Sequence, residues 1–330
     1  MNDTTPNAWI GIDIAKQTFE ACLLREQGKP MHKQFANTEP GFAKLLRWVE
    51  SLAPQSVGHY CLEATGAYSQ ALALFLAEAD QRVSVINPFR IKHAALAGGA
   101  GNKTDKADAR RIADYCRQYT PPLWRRSAPE VRVLVALLRR LSAVSTQRQQ
   151  EENRLAEPNL PKPVVTSLKQ SIRFLDRQIS SLQAQIEEHI HTHPGLKADR
   201  DLLLSIPGIG EASAAWILAE LPDVAQFDNA QEAAAYAGLA PYEYRSGTSV
   251  RKRTRLSKRG NARLRAALYF PAMSACRFNA PVRALYLRLI ERGLCRKAAL
   301  GAAMRKLLMI AYGVLKNRKK FCVPAALEAA

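Results

Sequence analysis

Over the first 125 residues, short alternating apolar runs trade places with stretches of helical period. Trp9 to Ile14 is β-branched and alternating. The apolar pattern continues to Leu24, which predicts a strand pair or one long strand. Lys33 to Asn37 predicts another strand. Thr38-Glu-Pro-Gly opens a helix that sets Phe42, Leu45, Leu46 and Val49 on one face. His59 to Leu62 reads as a short strand ending at Glu63, followed by a turn at Ala64-Thr-Gly and a helix over Ser69 to Ala79. Arg82 to Ile86 is the next strand, closed by Asn87-Pro88. Gly98-Gly-Ala-Gly101 is expected to be mobile, and Thr104 to cap a helix reaching about Tyr119. Strands alternating with helices predict an α/β domain.

Beyond it the period is helical. Ala128 to about Ala156 predicts a long helix, which Pro158, Pro161 and Pro163 break. Val165, Leu168, Ile172, Leu175, Ile179, Leu182 and Ile186 then recur at spacings of three and four, a heptad seam flanked by polar residues. Its partner is either the preceding helix or another subunit, and both can hold. Ser205-Ile-Pro-Gly-Ile-Gly-Glu between two helices resembles a helix-hairpin-helix, whose backbone N–H groups touch DNA phosphates without reading sequence. An ordinary helical turn is the plainer alternative. The expected division is 8–127, 128–195 (helical coiled coil) and 196–330 (mainly α-helical and basic).

Charge changes the picture more than composition does. The chain has 330 residues, 47 % of them apolar, and a net charge of +19. From Tyr244 to Ala330 there are 21 Lys and Arg against two acids, Glu291 and Glu328, whereas residues 1–243 hold 27 bases and 27 acids. The surplus therefore sits in the last quarter, interleaved with apolar residues at helical spacing. Such a field attracts polyanions, above all nucleic acid. No apolar run reaches the roughly 18 residues of a membrane span, and no signal pattern opens the chain. The expectation is a soluble, cytoplasmic protein with no membrane partner. Cys22, Cys61, Cys116, Cys276, Cys295 and Cys322 show no CxxC spacing, so they read as small buried hydrophobes rather than a zinc ribbon or disulfide framework.

Four acids stand out by placement. Asp13 lies inside an apolar strand, where a bare carboxylate is costly, and Glu63 ends another strand. Asp105 and Asp108, three apart, share a helix face. Strand ends and one helix face can converge at a sheet edge. Four carboxylates brought together repel, and Mg²⁺ (or Mn²⁺) is the usual remedy. Two such ions can assist phosphodiester cleavage, as in the ribonuclease-H-like nucleases. Singly, Asp105 could be a first-turn helix residue and Glu63 a turn residue; Asp13 has the weakest structural explanation. The histidine run His189, His191, His193 ends a helix and is discounted as a metal site. The run Arg251-Lys-Arg-Thr-Arg-Leu-Ser-Lys-Arg259 suits phosphate contact, or else a solvated face.

Several of these segments resemble one family. Gly11-Ile-Asp-Ile-Ala-Lys16, Glu63-Ala-Thr-Gly66, Val85-Ile-Asn-Pro88 and Asn102-Lys-Thr-Asp-Lys-Ala-Asp-Ala-Arg110 look like the DEDD transposases of the insertion-sequence 110 family, which includes Piv-type DNA invertases. Ser205 to Gly210, Tyr236-Ala-Gly-Leu-Ala-Pro241, Ser246-Gly247, Lys258-Arg-Gly-Asn261 and Leu268-Tyr-Phe-Pro-Ala272 continue the match in order. The resemblance implies an α/β RNase H-like (RuvC-like) N-terminal domain with its metal acids at Asp13, Glu63, Asp105 and Asp108. It implies a C-terminal transposase domain with a serine nucleophile at Ser246. It also implies double-stranded DNA substrates, a structured guide RNA encoded by the element, and a prokaryotic, nucleoid-associated setting.

From the residues alone Ser246 is not privileged, since Tyr242, Tyr244, Thr248, Ser249 and Ser257 lie nearby. Arg245, Arg251, Lys252 and Arg253 could stabilise phosphorane charge, and with Arg255, Lys258, Arg259 and Arg263 they form the expected nucleic-acid surface. Recombination of two strands needs at least two active sites, hence a homodimer or homotetramer. The rival readings are a RuvC-like nuclease without a serine, a catalytically silent DNA-binding protein, and an actin-like sugar kinase. The kinase lacks a second phosphate loop and has no use for the basic region.

Overall fold

The computed structural model describes residues 6–64, 66–97, 104–221, 223–243, 245–246, 250–251 and 254–323. The chain divides into two compact units, Met1–Arg126 and Ser127–Ala330.

Unit 1 is built on a mixed sheet of order β3-β2-β1-β4-β5. β1 (Ala8–Ile14) pairs antiparallel with β2 (Thr18–Arg25), and β2 with β3 (Met31–Ala36). The apolar run from Trp9 to Leu24 is thus a strand pair. On the other side β1 pairs parallel with β4 (Gly58–Glu63), and β4 with β5 (Arg82–Ile86). Strand alternation sorts the side chains into two layers. Ile10, Ile12, Phe19, Leu23, Tyr60, Leu62 and Val83 face α1 (Glu39–Leu52) and α2 (Ala67–Glu78), where Phe42, Leu45, Leu72 and Leu76 complete a core. Each such fully buried side chain stabilises the unit by about 1.5–3 kcal/mol.

The opposite face carries Trp9, Gly11, Asp13, Glu20, Cys22, His59, Cys61, Glu63 and Ser84. It is covered by α4 (Asp105–Tyr119), which lays Ala109 and Ala113 against Gly11 and Cys22, and Ile112 and Cys116 against Cys61. A Cβ on Gly11 would sit 2.2 Å from Ala109 O and from Ala113 N, so only glycine allows the helix this close. The sequence reading assigned no helix after Asn87-Pro88. There Asn87 Oδ1 accepts from Phe89 N at 2.9 Å and starts α3 (Pro88–Ala97), the proline standing in the first turn where its missing N–H costs nothing. The expected mobile stretch at Gly98–Gly101 lies outside the described residues.

Unit 2 is helical. α5 (Pro129–Leu155) and α6 (Lys162–Thr192) form an antiparallel hairpin, so the heptad seam finds its partner within the chain. Leu182, Ile186 and Ile190 are buried, while Val165, Leu168, Ile172, Leu175 and Ile179 are half-buried. The base of the hairpin shares one core with α7 (Pro194–Leu204), α8 (Glu211–Glu220), α9 (Ala230–Tyr236), α10 (Ala262–Ala267), α11 (Tyr269–Phe278), α12 (Ala280–Glu291) and α13 (Arg296–Asn317). By length and composition α13 could cross a membrane, which the sequence reading did not expect of any segment. Its Leu300, Ala303, Leu307, Leu308, Ala311 and Leu315 are instead part of this core.

Candidate functional site

Local chain geometry determines where the four acids stand. Asp13 shares a face with Gly11, and Glu63 with Cys61. Both faces lie under α4. The parallel register matches Ile12 with Leu62, so Asp13 and Glu63 each follow directly at neighbouring strand ends. α4 runs back over the sheet, with Cys116 near the start of β4 and Ala109 over the middle of β1. Its first turn, with Asp105 and Asp108, therefore hangs over the strand ends that carry Asp13 and Glu63. Thr104 Oγ1 accepts from Ala107 N at 3.2 Å and caps that turn, as the sequence led one to expect, and both aspartates gain from the helix N-terminal dipole. Asp108 is bridged by Arg111 one turn on.

One carboxylate escaped the sequence reading. Glu20 stands across from Asp13 in the β1–β2 register and is 5 % exposed. Burial pushes its carboxyl up; Lys106 pulls it down and Asp105 pushes it up further. His32 Nδ1 lies 3.8 Å away, its own basicity lowered first by burial and then by Lys106 and Arg110. The signal was available: Glu20 interrupts an apolar strand just as Asp13 does.

In unit 2 the family-like segments meet. Residues Tyr236 to Pro241 and Lys258 to Asn261 cross, with Asn261 N donating to Tyr236 O at 2.7 Å and Lys258 N to Gly238 O at 3.1 Å. A Cβ on Gly260 would lie 2.2 Å from Tyr236 O, and Gly238 has φ +69°, so both glycines are required by the crossing. Asn261 ties the crossing down: Oδ1 accepts from Arg263 N and Leu264 N, and Nδ2 donates to Glu220 Oε2 at 2.9 Å. Glu220, nearly buried, also receives Arg139 Nη2 at 3.3 Å.

From this crossing projects a β-arm. β6 (Pro241–Tyr242) pairs with β9 (Arg255–Leu256), and β7 (Arg245–Ser246) with β8 (Val250–Arg251), Ser246 opposite Val250. Of the expected nucleic-acid residues, Arg255, Lys258, Arg259 and Arg263 are exposed, and the Arg259 guanidinium lies 4.9 Å from the centre of the Tyr242 ring. Arg245, Arg251 and Ser246 are placed by backbone register. Lys252 and Arg253 lie outside the described residues.

Two other sequence expectations are refined. The turn after α7 does join two helices, but Gly208 (φ +105°) is packed on Ala275 of α11, and Asn279 Nδ2 donates to Pro207 O at 3.3 Å. Intramolecular packing thus accounts for that glycine. The cysteines are not uniformly buried: Cys22, Cys61 and Cys116 are, Cys276 is half-buried, and Cys295 and Cys322 are exposed. Cys295 stands at the N-cap of α13 and Cys322 lies beyond its C-terminal end, so both are outside the packed part of that helix.

Comparison with known proteins agrees across the chain. Residues 10–158 match a family model described as Transposase (DEDD, IS110), and residues 200–287 one described as Transposase IS116/IS110/IS902 family. The chain is 34 % identical to the pilin gene-inverting proteins of Moraxella lacunata and of Moraxella bovis, over 95 % of its length and 97 % of theirs. A RuvC structure from Thermus thermophilus aligns with 36 % of the chain and 99 % of its own at 19 % identity, with a TM-score of 0.25. Relatives and architecture together define an enzyme of DNA recombination or transposition. The chain belongs to the IS116/IS110/IS902 family of transposases.

Proposed function

We propose that this transposase cuts and rejoins DNA strands of a mobile or invertible segment, using a RuvC-like unit 1 and a serine in unit 2. The observation that carries the reading is the stacking of α4 on the sheet, which directs Asp13, Glu63, Asp105 and Asp108 to one end of β1 and β4. Four carboxylates are hard oxygen donors suited to Mg²⁺ or Mn²⁺, and a bound ion there would supply Lewis-acid stabilisation of the phosphate oxygens. Arg111 offsets part of the charge at Asp108 and must release it when that carboxylate turns to another partner.

Ser246 is the proposed nucleophile. Its Oγ attacks phosphorus, the bridging P–O bond breaks, and the departing strand leaves with a free hydroxyl while the serine proton passes to solvent or a nearby base. A second strand's hydroxyl then reverses the exchange, so no high-energy cofactor is consumed. Arg245, Arg251, Lys252 and Arg253 beside the serine in sequence suit the phosphate's charge. Arg255, Lys258, Arg259 and Arg263 suit the DNA backbone. A structured RNA encoded with the element would select the sites, and two or four copies would act together in a bacterial cytoplasm.

A second reading concerns the substrate. The 34 % identity, over nearly the whole chain, to pilin gene-inverting proteins favours inversion of a DNA segment over movement of an element. A denaturing gel tests the serine-and-metal reading. The full chain, purified with its co-expressed element RNA, is mixed with labelled junction DNA and Mg²⁺ beside Asp13→Ala and Ser246→Ala. A slow-migrating protein–DNA adduct absent from both variants is expected. Free cleaved DNA that survives Ser246→Ala but not Asp13→Ala would make the protein a RuvC-like nuclease without a serine step.

A further inference from the structure

On the α4-facing side of the sheet, toward the start of β4, lies a cluster the transposase reading leaves unused. His59, Cys61, Ser84 and Cys116 are each 0 % exposed. A ring nitrogen of His59 and the sulfurs of Cys61 and Cys116 lie within 4.8 Å of one another. Cys116 Sγ donates weakly to the His59 carbonyl at 3.6 Å, and the two thiols share a hydrogen bond. His59 and Cys61 are two apart on one strand, so they share a face; Cys116 descends on them from the helix.

Hydrogen bonding settles the tautomer of His59. Ser84 Oγ lies 2.8 Å from His59 Nε2, 3.1 Å from Pro121 O and 2.8 Å from Pro122 O. Carbonyls only accept, so the serine proton goes to a proline carbonyl and Ser84 Oγ accepts from His59 Nε2–H. The neutral ring then has a bare lone pair on Nδ1. That atom is buried and has no hydrogen-bond partner. A histidine whose one N–H is pinned by a neighbour while the other nitrogen stands open is the arrangement seen where imidazole ligates a metal.

We propose that His59, Cys61 and Cys116 supply three ligands of a buried structural site for a thiophilic divalent cation of the Zn²⁺ class. On binding, each thiol loses its proton to solvent. Two thiolates and a neutral imidazole then cancel the ion's double charge, so the filled site is neutral in a dry core. The Ser84 hydroxyl, accepting from Nε2–H on the far side of the ring, would hold the imidazole in the tautomer that leaves Nδ1 open. Soft sulfur donors here and hard carboxylates beyond Glu63 would sort two kinds of ion within one unit. The site would rivet β4, which ends in Glu63, to α4, which begins with Asp105, and act as a positioning device for the carboxylates.

The test uses the full-length protein dialysed against citrate, which removes weakly held ions. Elemental analysis is expected to find about one zinc per chain, retained in Asp13→Ala and lost in the double variant Cys61→Ala/Cys116→Ala. Cobalt exchanged into the wild type should give the near-ultraviolet thiolate-to-metal charge-transfer band, a reading that needs no variant to fold. Folded wild type with no zinc and no such band would overturn the proposal. So would zinc that persists in the cysteine variant and disappears in Asp13→Ala, or an intact mass two hydrogens low from a Cys61–Cys116 disulfide.

Discussion

The acidic end of the sheet and the basic β-arm use charge in opposite ways. Asp13, Glu63 and Glu20 belong to hydrogen-bonded ladders beneath a tightly stacked helix, and Glu20 is nearly buried. Arg255, Lys258, Arg259 and Arg263 are exposed, Arg259 lying over the Tyr242 ring, and the backbone below them is anchored through Gly238, Gly260 and Asn261. The metal ligation proposed for the acids needs oxygens placed to a few tenths of an ångström, which strands and a stacked helix can provide. Phosphate attraction falls slowly with distance and is shared among many bases. Rigidity is therefore expected to matter side chain by side chain in the first region, and only at the anchor of the second.

That contrast can be broken at several points. Asp13→Ala should lower strand cleavage by at least roughly 10²–10³-fold while leaving DNA affinity nearly unchanged, measured by cleavage and by filter binding on the same preparation. Equal losses in both would erase the distinction between the regions. Gly11→Ala, which drives a methyl into the backbone of α4, should destabilise unit 1 by about 1–3 kcal/mol and reduce cleavage with it, seen as a lower denaturant midpoint. Gly260→Ala should do the same in unit 2 and weaken DNA binding instead. Neutralising Arg255, Lys258, Arg259 or Arg263 singly to Gln should reduce affinity severalfold at most. Each phosphate left without its cation should flatten the salt dependence by about 0.9 in log–log slope. A total loss of binding from one such change would show that these bases, too, are placed rather than pooled.

The smallest effect concerns Glu20. Its carboxyl is raised in the folded protein, chiefly by burial, with Lys106 opposing and Asp105 adding to the shift. The folded state thus holds the proton more tightly than the unfolded chain. The stabilisation from this group is complete below the unfolded carboxyl value and is lost as pH rises through the folded one. Glu20→Gln should therefore be modestly more stable than wild type at neutral pH in chelator-containing buffer, the difference shrinking toward acid pH. Denaturation midpoints across that range measure it, and a destabilised variant at neutral pH would show that Glu20 is held charged.

The strands of unit 1, α1, and α4 with its Thr104 cap were legible because each is encoded within its own few residues. α3 was not, since Pro88 reads as a break until Asn87 is seen to cap it. The four acids were legible as charged residues where apolar neighbours or strand ends make charge expensive. Glu20 obeyed the same rule but hid in the neighbouring strand. His59, Cys61 and Cys116 could not be found by spacing, because their meeting depends on a helix folding back over a sheet.

Period, charge and motif order, all local or additive properties of the chain, were enough to determine an α/β unit followed by helices, a basic last quarter and membership of a transposase family. The tertiary structure decided which helix answers the heptad seam, which sheet face the acids share, and that Gly238 and Gly260 mark one crossing. Those outcomes depend on long-range packing, where one close approach, α4 on Gly11, aligns residues nearly a hundred positions apart along the chain.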